Sequence, residues 1–252
     1  MTIRETIKNQ KAAMKNRTRK EQLSFFWEYY AIKATALIVA LVVILAFVIS
    51  IITQKEYAFT GVFFGAQSQA SSENYLNNFA QEANIDLKNY TLTIQETPEI
   101  RMDQQISTEI YQSMETFTAM VAAQSVSCFA GNSDLFLYYA YLGYAKDLRT
   151  IFMQEELQAL APYLYYVDGQ LIEAQEDSDE GYVEAYWNRP ADPTKPELMA
   201  QPIPVGISLD AASEDFKNSY RFENPSVIGV CESSEFPEYA AAFLRHCLSF
   251  TK

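Results

Sequence analysis

The chain has one histidine, His246, followed directly by Cys247. A Ser–His or Cys–His nucleophile pair would have to use that imidazole as its base. Neighbours on a helix point about 100° apart and do not face each other. Adjacency therefore does not make His246 and Cys247 a pair. The plainer role is a histidine in the last turn of a terminal helix, where the helix dipole favours positive charge. A single histidine also excludes a multi-histidine transition-metal site.

Acidic residues crowd one short stretch: Glu173, Glu176, Asp177, Asp179 and Glu180. Carboxylates at alternating positions suit a hard cation such as calcium. The spacing is not that of an EF-hand, because the twelfth position counted from Asp177 is Asn188. A solvated acidic turn is the expected role. Glu176, Asp177, Asp179 and Glu180 are the candidate metal ligands, and no cofactor is expected. The eight glycines form neither a G-x-G-x-x-G nor a P-loop pattern. Asn89-Tyr90-Thr91 matches a glycosylation sequon at an expected strand start. Without a nucleophile–base pair or a metal cluster, the expectation is that the protein is not an enzyme.

Three cysteines, Cys128, Cys231 and Cys247, leave at least one thiol unpaired. Cys128 and Cys231 sit in apolar runs, which predicts buried thiols acting as small hydrophobes. One disulfide is allowed, and the sequence does not choose its pair.

What must position these groups is set by residues 34–54, ATALIVALVVILAFVISIITQ. The run holds no charge, Pro or Gly, and about 20 apolar residues suffice to cross a bilayer core of about 30 Å as a helix. A cleaved signal peptide would carry a shorter apolar run and a small-residue cleavage site; Thr53-Gln54-Lys55-Glu56-Tyr57 offers no A-x-A pattern. Residues 1–33 carry eight basic and three acidic residues, a net charge of +5. The remainder carries 11 basic and 29 acidic residues, or −18. Positive charge beside a span stays cytoplasmic. The expected organisation is a basic cytoplasmic tail over 1–33, a transmembrane helix over 34–54 and an extracytoplasmic domain over 57–252. Phe25, Phe26, Trp27, Tyr29 and Tyr30 would form an interfacial aromatic belt. The acidic outer part argues against nucleic acid as a partner, which needs a basic footprint, and against lying flat on anionic lipid. The lipid bilayer is the expected partner of the span.

The outer part alternates between periods. Residues 57–64 and 90–95 read as strands, with a helix from Ser71 or Ser72 to about Ala83 between them. A long helix is expected over 103–123, with Ile106, Ile110, Met114, Phe117, Met120 and Val121 on its inner face. Residues 125–130 are a third strand, and Asn132 or Ser133 caps a helix that Gly143 ends. Residues 153–160 are a short helix. Residues 164–174 and 182–187 read as a hairpin around the acidic loop, and 188–204, with five prolines, as an irregular loop. Strands over 203–209 and 226–230 and a helix from Glu235 or Phe236 to about Phe250 complete the domain. Strands alternating with helices predict an α/β domain of three layers with a mixed sheet of about five strands.

Two stretches carry a resemblance. FFWEYYAIKATALIVALVVILAFVISIITQKEY, residues 25–57, resembles the opening of single-pass membrane proteins of clostridia-type Gram-positive bacteria, a group without an assigned activity. The stretch from Thr116 to Tyr166, with SVSCFAGNSDLFLYYAYLGYAKDLRTIF, together with PIPVGISL and NPSVIGVCESSEFPEYAAAFLRHCL, resembles extracellular solute-binding proteins. About 196 residues lie outside, and only a hairpin and a Pro-rich loop lie between Gln170 and Pro204. The resemblance therefore implies a single lobe of a type II solute-binding protein, with no binding residues carried over. Two functions follow from it. One is a non-catalytic anchored domain that binds an envelope or transporter protein or another envelope component. The other is a solute receptor that delivers a small ligand to a transporter. Tyr138, Tyr139, Tyr165, Tyr166 and Trp187 are the candidate ligand-contact residues of such a cleft, between the sheet edge and the hairpin.

Overall fold

The computed structural model describes residues 18–53, 55–103, 107–176 and 184–248. It divides into two units, residues 1–54 and 55–252. The first holds one helix, α1 (Arg19–Thr53). At about 1.5 Å per residue, 35 residues exceed the thickness of a bilayer core. The window Ile32–Ile49 is long and apolar enough to cross a membrane, and a signal sequence near an N-terminus has the same character. Thr35 to Ile49 are all exposed. The side chains of the aromatic-belt residues, Phe25, Phe26, Trp27, Tyr29 and Tyr30, lie outside the described residues, as does Gln54.

The second unit is built around β1 (Glu56–Phe64), whose last seven residues are all buried. A strand buried on both faces reads as a continuous apolar run and needs helices above and below it. β1 pairs in parallel with β3 (Tyr90–Thr97) and with β4 (Cys128–Asn132). β4 pairs antiparallel with β8 (Ser226–Val230), β8 with β6 (Pro202–Ser208), and β6 with β5 (Leu164–Asp168). The sheet order is β3-β1-β4-β8-β6-β5, so the sheet is mixed, with six strands. A short ribbon joins β2 (Ala66–Ser68) to β7 (Tyr220–Phe222).

Each sheet face has its own core. Phe59 and Phe63 turn one way, toward α2 (Ser72–Glu82), α8 (Glu214–Ser219) and α9 (Pro237–Cys247), where they meet Tyr75, Phe79, Phe216 and Phe243. Val62 and Phe64 turn the other way, toward α3 (Thr108–Ala122), α4 (Ser133–Tyr141) and α7 (Glu184–Trp187), where Phe117, Phe136, Tyr139 and Tyr186 are buried. The helix–sheet–helix layering follows. Helices α2, α3 and α4 end alike. Asn84, Gln124 and Gly143 take positive φ, and the amides of Ile85, Ser125 and Tyr144 donate back to Ala80, Met120 and Tyr139. This is the Schellman closure; the Gly143 end was readable from sequence, and the other two use non-glycine residues.

Several boundaries differ from expectation. α3 starts at Thr108, where the Ser107 hydroxyl accepts the Ile110 N–H at 3.3 Å; Ile106 lies outside the described residues. Ile110 is only half-buried, and Phe117 and Val121 carry the buried face of α3. The expected strand over 125–130 is shifted to Cys128–Asn132. Among the described residues the expected hairpin does not form. Chain 164–168 is β5, but 169–176 is helix α6 (Gly169–Glu176), and 184–187 is α7. Asp168 causes the turn. Its carboxylate accepts the N–H groups of Gln170 (3.1 Å), Ala200 (2.8 Å) and Gln201 (2.9 Å), capping the new helix and fastening the β6 approach. The partner of β5 is β6, which begins inside the expected Pro-rich loop and contains Pro202 and Pro204. Proline cannot donate to a ladder. The register shifts at Tyr165/Tyr166, and the Tyr166 N–H goes to the Pro193 carbonyl at 2.8 Å. One more short helix, α5 (Gln154–Leu160), contributes Leu160 to the first core.

Candidate functional site

A groove of about 400 Å³ runs between α2, α8 and α9. Its position follows from the periodicity of α2. Tyr75 and Phe79 face the core, and Asn74, Asn78 and Glu82, spaced i, i+4, i+8, form one exposed wall. Ser213, Asp215 and Asn218 form the opposite wall, and Arg245 and His246 close one end. The walls are tied together beneath the groove. The Ser71 hydroxyl donates to the Asn218 carbonyl at 2.9 Å, and the Ser219 hydroxyl donates to Ser71 at 3.2 Å. The Ser213 N–H donates to the Cys247 carbonyl at 2.8 Å, and the Ser213 hydroxyl caps α8 through Phe216 N–H at 3.2 Å.

The end residues are held firmly. Arg245 Nε lies 3.1 Å from Glu156, and its Nη2 donates to the Ile151 carbonyl at 2.6 Å. Glu156 also accepts the Met153 N–H at 2.6 Å. The hydrogen bond from Arg245 holds the Glu156 carboxyl below its ordinary value, helped by that backbone N–H. His246 Nδ1 lies 2.6 Å from Glu82, and the ring packs 4.6 Å from Tyr75 and 5.7 Å from Phe79. Among the described residues neither the buried His246 Nε2 nor the buried Tyr75 hydroxyl has a hydrogen-bond partner. Burial pushes the Tyr75 phenol up, and the Cys247 thiol beside it adds to the effect. Burial likewise raises Cys247, which keeps it a thiol. By contrast, the side-chain amides of Asn74, Asn78 and Asn218 and the Asp215 carboxylate make no hydrogen bond among the described residues. The arrangement offers a polar guest free donors and acceptors; its imidazole is committed to a carboxylate.

The aromatic candidates lie elsewhere and do not form one cluster. Tyr139 is 1% exposed, a core residue whose phenol burial pushes up. Tyr138 is half-buried, 5.5 Å from Tyr139 and 5.5 Å from Tyr186, which in turn meets the exposed Trp187 at 5.0 Å. Arg189 covers Tyr186 at 3.9 Å and pairs with Asp134 at 2.9 Å. These rings pack on one another. Tyr165 and Tyr166 are split by the sheet, one against each core. Of the acidic candidates, Asp177, Asp179, Glu180 and the Glu176 side chain lie outside the described residues. Among the described residues no group of three or more His, Cys, Asp or Glu is placed to hold a metal ion. Cys128, Cys231 and Cys247 are all buried and free. His246 does occupy the last turn of α9.

Sequence reasoning missed the groove. Its one available signal was the polar stripe Asn74, Asn78, Glu82, opposite Tyr75 and Phe79. Comparison with protein-family models, curated proteins and solved structures finds no match to this chain.

Proposed function

We propose that the chain is a single-pass membrane protein whose residues 57–252 form a non-catalytic extracytoplasmic binding domain. Residues 34–54 anchor it, and residues 1–33 stay in the cytoplasm. The uncharged run and the +5 tail support the anchor and its orientation. The observation that carries the binding role is the set of unbonded amides of Asn74, Asn78 and Asn218 around one groove. Small-ligand sites are concave, and convergent polar groups orient the ligand in them; here nearly the whole lining is polar. The parallel trio β3-β1-β4 with its connecting helices supports likeness to one lobe of a type II solute-binding protein. On this reading the domain engages an envelope component. A receptor that hands a small solute to a transporter is the second reading; the groove volume of about 400 Å³ favours it, being that of a small-ligand pocket.

Asn78→Cys in the full chain tests the proposal. The native thiols are buried, so a membrane-impermeant biotin maleimide applied to wall-less cells should label the variant and not the parent. Labelling only after lysis would reverse the topology. Labelling in neither condition would close the groove as a binding surface.

A further inference from the structure

We infer that the groove between α2, α8 and α9 takes a neutral saccharide; this rests on the binding role proposed for the same groove. The walls carry amides and carboxylates, Asn74, Asn78 and Glu82 on one side and Asp215 and Asn218 on the other. An amide presents a carbonyl oxygen and two N–H donors, and a carboxylate presents two acceptor oxygens, of which Glu82 already turns one to His246. Hydroxyls donate and accept at once, so adjacent sugar hydroxyls can pair with both kinds of group. Other chemistries fit less well. An anion would meet Glu82 and Asp215, and the guanidinium in the described lining, Arg245, is already held by Glu156 and the Ile151 carbonyl. A polyamine would use the two carboxylates and leave the three amide NH2 groups without acceptors. An apolar guest would meet a lining made almost wholly of polar side chains, serines, asparagines and carboxylates. Tyr75 is 4% exposed, so it offers no open ring face for stacking, and recognition rests on hydrogen bonds.

The full chain in lipid nanodiscs, free of glycoside detergent, is applied to an array of neutral and acidic oligosaccharides. Spermidine and inorganic phosphate are titrated by calorimetry. The expected result is retention on neutral glycans, weakened at least tenfold in the Asn74→Ala/Asn78→Ala double variant. That variant should melt within about two degrees of the parent, since both positions are exposed and surface substitutions change stability little. Asn218→Ala provides the same readout from the other wall. Retention on no neutral glycan, or retention that both variants leave unchanged, overturns the inference. Spermidine binding that the variants weaken, with no glycan retained, also overturns it but leaves the groove a binding site. Failure of the Asn78→Cys label both before and after lysis removes the binding role itself.

Discussion

His246 Nδ1 lies 2.6 Å from the Glu82 carboxylate, joining the last turn of α9 to the last turn of α2 across 164 residues of chain. The His246 side chain is 12% exposed and that of Glu82 63%, so the pair straddles the groove wall. The other ring nitrogen, Nε2, is buried and has no hydrogen-bond partner among the described residues. An unsatisfied buried group costs about 1–3 kcal/mol, whereas an exposed ion pair contributes about 0–1 kcal/mol. His246→Phe should therefore keep the packing on Tyr75 and Phe79 and hold or raise stability by about 1 kcal/mol. His246→Ala should lose stability through the cavity it leaves. Urea midpoints decide: equal losses in both variants would show that the Glu82 contact dominates.

Acid should weaken the Arg245–Glu156 link. The folded carboxyl titrates below its ordinary value of 4.5. The stability it contributes is therefore fully present above about pH 4.5 and is lost as pH falls through the lower folded value. Glu156→Gln should be less stable than the parent at pH 7, and the gap should close below pH 4.5. A gap that stays constant with pH would mean that the side chain acts by shape alone.

Phe136 of α4 sits over two glycines, Gly206 of β6 and Gly229 of β8. A Cβ at Gly229 would come within 2.7 Å of both the Phe136 ring and the Val205 carbonyl oxygen. At Gly206 its nearest neighbours would be side-chain atoms, Phe136 at 2.5 Å and Val227 at 2.6 Å. Overpacking costs about 1–3 kcal/mol. Both alanine variants should be destabilised, and adding Phe136→Leu should rescue Gly206→Ala more than Gly229→Ala, because a backbone carbonyl cannot rotate away. Equal rescue would overturn this account.

Phe117→Asp should unfold the domain, because the residue is 1% exposed among Phe64 (5.2 Å), Phe129 (5.5 Å) and Tyr139 (4.6 Å), and an unpaired buried charge costs several kcal/mol. Ile110→Asp, at a half-buried position on the first turn of the same helix, should be tolerated far better. Circular dichroism melts of the two variants separate the cases; equal collapse would place Ile110 in the core after all.

Strands β1 and β8 were legible because they are buried along nearly their whole length, and a run such as Ala58–Phe64 then announces itself by composition. The helical face of α3 was legible in period but not in depth, since Ile110 and Phe117 look alike in sequence and only the first lies near the solvent end. The hairpin misreading has a local cause. Leu164–Val167 and Leu171–Ile172 are apolar on either side of Asp168-Gly169-Gln170, and nothing within the stretch reveals that Asp168 collects N–H donors from residues 200 and 201. The groove was half-legible. Asn74, Asn78 and Glu82 form a readable stripe, but the facing wall comes from the six-residue α8, too short to show a period.

The Asp168 carboxylate is the polar centre on which that misread region turns. One oxygen accepts Gln170 N–H at 3.1 Å and Gln201 N–H at 2.9 Å, and the other accepts Ala200 N–H at 2.8 Å. The residue is 7% exposed, so water does not replace these bonds. Its own N–H donates to the Tyr141 hydroxyl at 3.2 Å, fixing the end of β5 to α4. Asp168→Asn keeps one acceptor oxygen but turns an NH2 group toward a backbone donor. Hydrogen bonds to a charged group contribute about 1.5–3 kcal/mol, so the variant should lose about 2–3 kcal/mol, and Asp168→Ala, which orphans all three donors, should lose more. A merely bulk effect of substitution would lower global stability without changing local exchange. The carboxylate account requires more: the Ala200 and Gln201 amides should exchange hydrogen markedly faster in Asp168→Asn while the β1 amides remain protected. Unchanged exchange at residues 200 and 201 would show that the turn into α6 and the approach to β6 are held by packing and not by Asp168.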